Sequence, residues 1–306
     1  MPAETRETIR PAVPGDVPAL GALFEEVFGA PRPPEVWTWK YFGNPRGATS
    51  MVCEAEGRIV SHCGGAPVRF RDYGAEHMAL QSVDFMSSPT YPGGIGRGGV
   101  FLRTAERFFD AYCGPSKVPL VYGFPGERHR VLGERLLGYR PVERVAELRL
   151  EARGEGRAIE PLTPGDLPLF GRVPLDLGAL RDPVYLRWRY LDHPLWSYGK
   201  VSVRGTFGLG TQIAAVVRSD ADRLHVMEVG GRFSRAAVED LADALSRVGR
   251  EVVLWGPPAH PVYSLFAEGG FSVTYRDHWI EMRSFTQRQV PRTGELYYTL
   301  GDYDVY

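Results

Sequence analysis

Apolar positions in the first half of the chain switch between two periods. Within Asp16–Phe28, Leu20, Leu23, Phe24 and Val27 recur at i, i+3, i+4 and i+7, the stripe of an amphipathic helix. Pro14-Gly15-Asp16 before it is turn chemistry, with Asp16 placed to cap the helix. The apolar run Ser50–Phe70 is broken at Glu56-Gly57 and reads as two strands joined by a hairpin. Glu76–Pro89 alternates in part and reads as another strand. A glycine-rich stretch follows, then a helix over Val100–Tyr112, a strand over Val118–Phe124, a helix over Arg128–Leu137 and a closing strand to Leu150. The expected order is β-α-β-β-β-loop-α-β-α-β.

The second half repeats the first. Ile9–Leu20 and Ile159–Phe170 are identical at six of twelve positions. The pattern W-[KR]-Y-x-x-[NH]-P occurs at Trp39–Pro45 and again at Trp188–Pro194. A third echo pairs Leu120–Tyr139 with Val253–Phe271, each an apolar strand, Gly-x-Pro, a helix, glycine and an aromatic. Three echoes in one order indicate a tandem duplication. The second copy has a deletion: only Arg232-Phe233-Ser234 separates its strand from its helix, where the first copy has the glycine loop. The expected domains are residues 1–152, residues 153–285 and a tail, 286–306.

Composition narrows the function classes. The 306 residues are 43% apolar and 24% charged with a formal net charge of −1, which disfavours nucleic acid as a partner. No apolar run approaches the length of a membrane span, and no signal peptide is visible. Cys53, Cys63 and Cys113 cannot all pair, so a reducing cytoplasm is expected. No residue cluster has metal-ligand spacing.

Gly93–Gly99 holds five glycines in seven residues between a strand and a helix, a place where backbone amides can face an anion. Gly94–Gly99 also satisfies G-x-G-x-x-G. A dinucleotide site would need an acid on the next strand, and Val118–Phe124 has none. Helix, antiparallel strands, glycine loop, helix, strand, helix and a final Gly-aromatic resemble the GNAT-type acyl-CoA N-acyltransferases. The resemblance implies an α+β fold of two tandem lobes, each a mixed, mostly antiparallel sheet flanked by helices. The family's loop pattern [QR]-x-x-G-x-[GA] fits Tyr91–Gly96 or Gly96–Phe101, with Tyr or Gly in the basic position and Arg97 a few residues away.

The resemblance also implies a site in the first lobe. Acetyl-CoA or another acyl-CoA would be the co-substrate, with no metal. A small-molecule or peptide amine would be the acceptor, and the protein a monomer or homodimer. Phe85, Met86 and Ser87 would face Gly123, Phe124 and Pro125 across a gap between two strands that holds the pantetheine. Gly93, Gly94, Gly96, Arg97, Gly98 and Gly99 would bind the pyrophosphate. Asp84, the acid bordering the gap, is the first candidate base; Glu127 and His129 are alternatives. Relatives carry a tyrosine acid where this chain has Glu134. In the aromatic tail, Asp302, Asp304 or the terminal carboxylate would return to the first lobe and hold a cationic acceptor. The second lobe, lacking the loop, would not bind CoA. Two rival readings are an aminoacyl-tRNA-dependent transferase of similar tandem fold and a non-catalytic CoA-binding scaffold.

Overall fold

The structure, a computed structural model, describes residues 7–92, 96, 98–154, 156–205, 210–287 and 290–303. The first half runs β1 (Glu7–Pro11), α1 (Val17–Phe28), α2 (Pro34–Trp37), β2 (Thr49–Ala55), β3 (Arg58–Asp72), β4 (Ala75–Ser87), α3 (Val100–Tyr112), β5 (Leu120–Gly123), α4 (Glu127–Leu136) and β6 (Arg140–Leu150). The second runs β7 (Glu160–Pro161), α5 (Leu167–Phe170), β8 (Leu177–Ala179), α6 (Pro183–Leu186), β9 (Gly199–Arg204), β10 (Thr211–Ser219), β11 (Arg223–Gly231), α7 (Arg235–Ser246), β12 (Glu251–Trp255), α8 (Pro261–Glu268) and β13 (Ser272–Ser284).

Two compact units divide the chain. Unit 1 is Met1–Arg69, His77–Pro141 and Glu281–Val290; unit 2 is Phe70–Glu76, Val142–Ile280 and Pro291–Tyr306. The strand order in unit 1 is β1-β2-β3-β4-β5-β13, where β13 contributes only Glu281–Ser284. In unit 2 it is β13-β6-β12-β11-β10-β9-β7, where β13 contributes Ser272–Ile280. Among the described residues each unit holds one parallel pair of strands, β4 with β5 and β11 with β12. The fold class is therefore α+β with mixed, mostly antiparallel sheets.

The units do not coincide with the sequence copies, because most of β6 lies in unit 2 and the end of β13, Glu281–Ser284, lies in unit 1. Beside β5 lies the end of β13, paired Glu281↔Gly123 to Ser284↔Leu120. Beside β12 lies β6, paired Val252↔Leu150 to Trp255↔Glu147. The chain also enters unit 2 briefly at the tip of β3, where Phe70–Asp72 pair with β8.

The repeated opening phrase folds the same way twice. Pro14–Asp16 and Pro164–Asp166 each make one 3-10 turn leading into a helix. The aspartate does not cap that helix, as the sequence suggested. Its carboxylate turns back to accept from the backbone N–H three residues earlier, Val13 at 2.8 Å and Thr163 at 2.9 Å. A nearby cation completes each turn, Arg10 on Asp16 and Lys200 on Asp166.

Unit 1 has apolar cores on both faces of its sheet. Leu20 and Leu23 of α1 join Trp37, Tyr41, Val52, Ile59, Val83 and Met86 on one face. Phe101, Ala105, Phe108 and Phe109 of α3 join Leu80 and Val121 on the other. A strand sends alternate residues to opposite faces, but Val83, Asp84 and Met86 all turn toward α1 and α2. The break is at Asp84, whose φ of 52° is left-handed. One residue in that conformation inside a strand shifts the alternation, as a bulge does. In unit 2, α7 and α8 bury Leu241, Leu245, Val262 and Phe266 against Val216-neighbouring strand residues such as Ala215, Val226 and Leu254.

Candidate functional site

The parallel ladder between β4 and β5 is short. It runs Ala79↔Leu120, Leu80↔Val121 and Gln81↔Tyr122. One further contact, the Ser82 hydroxyl donating to the Tyr122 carbonyl at 3.1 Å, closes it. Gly123 sits against that hydroxyl, where a Cβ would meet Ser82 Oγ at 2.5 Å. Beyond this point β4 continues to Ser87 while β5 ends, so Val83–Ser87 run past the ladder. Phe85 packs under α3, with ring centroids 5.4 Å from Phe108 and 6.1 Å from Phe109. Met86 is buried and its carbonyl accepts from Ser61 at 3.2 Å. Ser87 Oγ has no hydrogen-bond partner among the described residues. Phe124 is buried just past β5.

The chain leaves β4 toward the glycine loop. Gly93, Gly94 and Arg97 lie outside the described residues. Gly99 donates to Gly96 at 2.8 Å, and Gly98 has φ 74°, a left-handed conformation suited to glycine. A Cβ at Gly96 or Gly98 would meet nothing within 4 Å. Gly99 is the N-cap of α3, and no side chain caps that helix. The first-turn amides of an uncapped helix carry positive potential and suit an anion. Arg103, one turn into α3, donates to the Gly98 carbonyl and pairs with Glu7. It brings a charge to the loop that the loop motif itself did not disclose.

Asp84 lies on β4 past the end of the ladder, in an environment the sequence did not show. Its carboxylate is 2.7 Å from Arg32 Nη1 and 2.8 Å from Lys40 Nζ, and accepts from the Tyr41 hydroxyl at 2.8 Å. Burial alone would raise its pKa; Lys40 and Arg32 outweigh it and hold the carboxyl well below the usual range. So weak a proton acceptor suits general-base chemistry poorly. Asp84 is instead the hub of an ion cluster. Its carbonyl is 2.8 Å from His62 Nδ1; a carbonyl only accepts, so Nδ1 carries the proton. Nε2 then accepts from the Ser50 hydroxyl at 2.7 Å. Burial lowers the His62 pKa to about 4, so this support stays neutral. The neighbouring Cys63 thiol is fully buried, and burial pushes its pKa well above the ordinary value.

Glu127 and His129 lie exposed in the first turn of α4. Glu127 and Glu134 both pair with Arg130, so the residue at the family's tyrosine position is one arm of a surface ion triplet. An acid that the sequence reading overlooked is Glu281. It pairs with Gly123 in the strand register and is buried beneath Gly133 of α4. Burial and the nearby Glu134 raise its pKa to about 8, and Oε2 has no hydrogen-bond partner among the described residues. At neutral pH it is protonated.

Unit 2 repeats the cluster and closes it. The ladder of β11 with β12 ends at Val226↔Leu254. Glu228, just past it, accepts from Tyr190 at 3.0 Å and pairs with Arg181 at 3.1 Å. Arg181-Arg189-Tyr190 has the spacing of Arg32-Lys40-Tyr41. The segment Leu300–Tyr303 lies across this place. Gly301 abuts the Tyr190 hydroxyl, the Met227 carbonyl and the Glu228 carboxylate, leaving no space for a Cβ. The Tyr303 ring lies 4.9 Å from that of Trp255 at the end of β12. Asp302 pairs with Arg181 and is 3% exposed. This corrects the expectation that Asp302 holds an acceptor in the first lobe, since its charge is spent on a buried guanidinium of unit 2. Asp304 and the terminal carboxylate lie outside the described residues. In α7 the Ser234 side chain caps the helix, accepting from Ala237 N at 3.3 Å. Unit 2 thus has a capped helix and a filled gap where unit 1 has a helix with no side-chain cap and a glycine loop.

Among the described residues no group of His, Cys, Asp and Glu could hold a metal, and no helix is long and apolar enough to cross a membrane. No protein-family model matches the sequence, and no curated protein matches it. Solved structures do match in fold. A conserved protein of unknown function from Enterococcus faecalis V583 aligns with a TM-score of 0.67 at 14% identity, over 92% of this chain and 73% of that one. A GCN5-related N-acetyltransferase from Kribbella flavida aligns with a TM-score of 0.65 at 14% identity, over 92% and 71%. Another, from Anabaena variabilis, aligns with a TM-score of 0.63 at 15% identity, over 92% and 73%. The chain therefore has the GNAT fold, that of the GCN5-related N-acetyltransferases.

Proposed function

We propose that unit 1 is an acyl-CoA-dependent N-acyltransferase, moving an acyl group, by default acetyl, from CoA to an amine. The observation that carries the reading is the exit of β4 past its short ladder with β5 into a glycine loop and the uncapped α3. The backbone of Phe85, Met86 and Ser87, with Gly123 and Phe124 opposite, would hold the pantetheine and polarise the thioester. Gly93, Gly94, Gly96, Arg97, Gly98 and Gly99, with Arg103 behind them, would take the pyrophosphate.

The reaction needs a neutral amine, a donor to the tetrahedral oxyanion and a proton for the departing thiolate. Backbone amides along the unladdered part of β4 would supply the oxyanion donors. Asp84 organises the floor of the site rather than taking the amine proton. Glu127 and His129, exposed at the start of α4, remain the candidates for that step. Glu281, protonated at neutral pH and next to Gly123, would supply the thiolate's proton. Relatives of known fold named as N-acetyltransferases support the reaction class.

Calorimetry of the full chain with acetyl-CoA tests the binding step. We expect saturable binding, weakened at least about tenfold in Gly98→Val, whose backbone would be forced out of the left-handed region. Unchanged affinity in that variant would remove the loop from the site. The locked state of Asp84 favours one second reading, a non-catalytic acyl-CoA binder. Thiol release from acetyl-CoA in the presence of amines separates the two.

A further inference from the structure

The ion cluster occurs twice, and in unit 2 the molecule supplies its own ligand to it. Arg181 there holds two carboxylates. One is Glu228 on the strand past the ladder; the other is Asp302, carried in by the chain segment lying across the gap. The segment engages the rest of the cluster too. Arg189 Nε donates to the Gly301 carbonyl at 3.0 Å, and Thr299 donates to Glu228 at 3.2 Å. In unit 1 the same three-residue spacing places Arg32, Lys40 and Tyr41 around Asp84, the counterpart of Glu228. Arg32 is the counterpart of the arginine that receives Asp302. Its side chain is 13% exposed where that of Arg181 is 1% exposed.

Building on the acyltransferase reading, we propose that Arg32 binds a carboxylate of the acceptor, which is therefore an amino-acid-like molecule carrying both an amine and a carboxylate. The chemistry of the position suits this. A guanidinium presents a rigid fork of donors that matches a carboxylate. That of Arg32 is held by Asp84 and stacked 4.0 Å over the Phe24 ring, so little side-chain freedom is lost on binding. Asp302 in unit 2 shows, within the same chain, a carboxylate seated on the equivalent arginine beside the equivalent gap. The amine of such an acceptor would point from Arg32 toward Val83–Ser87, where the thioester is proposed to lie.

The test uses the full chain and matched probes. Twenty free α-amino acids and their carboxamides are screened for binding by ligand-observed NMR, in the presence of CoA, and leading pairs are titrated. We expect at least one amino acid to bind at least about tenfold more tightly than its carboxamide. We expect that preference to vanish in Arg32→Gln while the affinity for acetyl-CoA is kept. Equal binding of acid and carboxamide overturns the proposal, as does the absence of any amino-acid binding at millimolar concentration. The acid-carboxamide comparison on the unaltered protein decides the matter even if Arg32→Gln fails to fold. Acetyl-CoA titration is read separately: loss of CoA binding counts against the acyltransferase reading, and loss of carboxylate preference counts against this one.

Discussion

A carboxyl buried beside two cations behaves differently from one buried alone, and unit 1 contains one of each. Asp84 stays ionised because Lys40 and Arg32 outweigh the cost of its burial. Asp84→Asn removes the anion and leaves those two cations without it. Breaking a buried pair in this way costs about 3–5 kcal/mol, and urea unfolding should show a loss of that order. A wild-type midpoint in the variant would mean the cluster contributes little. Glu281 is the opposite case, with its pKa raised from 4.5 to about 8. The folded state holds this proton after the unfolded chain has released it. Its contribution to stability is complete below about pH 4.5 and is lost as pH rises through about 8. Glu281→Gln should flatten that decline, so the variant gains on the wild type by a few kcal/mol between pH 5 and pH 9. Glu143 in unit 2, raised to about 7 by burial, leaves a smaller slope of the same sign in both proteins. Parallel stability-pH curves for wild type and Glu281→Gln would show that the residue is not protonated in the fold.

Among the elements, the segment Leu296–Tyr303 does the least expected work. Its tyrosines and leucines announced burial in the sequence, and Tyr297, Tyr298 and Leu300 are buried. Where they bury could not be read, because an apolar segment after a linker fits any open apolar site equally well. The destination depends on Arg181 and Glu228, which are 121 and 74 positions from Asp302 in the chain, and no local pattern links them. The same limit hid the role of Asp84, since an acid at that point on a strand reads alike whether or not a cation waits 44 residues away. What was legible were local features: the amphipathic stripes, the turn phrases, the glycine loop and the repeated W-[KR]-Y. A direct consequence follows for Gly301. An added methyl would collide with Tyr190, Met227 and Glu228. Gly301→Ala should cost about 1–3 kcal/mol through overpacking, and deletion of residues 301–306 should cost more, by removing Asp302 from Arg181. Both should lower the melting temperature and leave the affinity for acetyl-CoA unchanged. A deletion variant with normal thermal stability would show that the segment is not a structural part of unit 2.

At the scale of the whole molecule, β6 and the end of β13 each pair outside the half of the sequence that carries them, and this sets what can fold separately. The sequence suggested a break after residue 152, since each copy there has its full series of strands and helices. Pairing ignores that break. β5 of unit 1 takes Glu281–Ser284 as its antiparallel neighbour, and β12 of unit 2 takes Glu147–Leu150. Nothing in the hydrophobic pattern of Glu147–Leu150 or Glu281–Ser284 names the partner strand. The pairing is fastened by side chains. Arg283 donates to the Leu137 carbonyl at 2.7 Å and stacks on Phe109, 4.2 Å from the ring centroid. In unit 2, Trp255 Nε1 donates to Glu147 at 3.1 Å. A fragment of residues 1–152 would therefore leave β5 as a bare edge, with Val121 and the Phe109 core uncovered, and would carry β6 without its partner. Exposed apolar edges of this kind associate rather than fold. We expect that fragment to be poorly soluble, with no cooperative thermal transition by circular dichroism. Joining residues 272–290 to its end through a flexible linker should restore a cooperative transition, because the antiparallel neighbour of β5 is then present. If residues 1–152 melt cooperatively as a monomer without that addition, the added strand is dispensable and the two copies are independent domains.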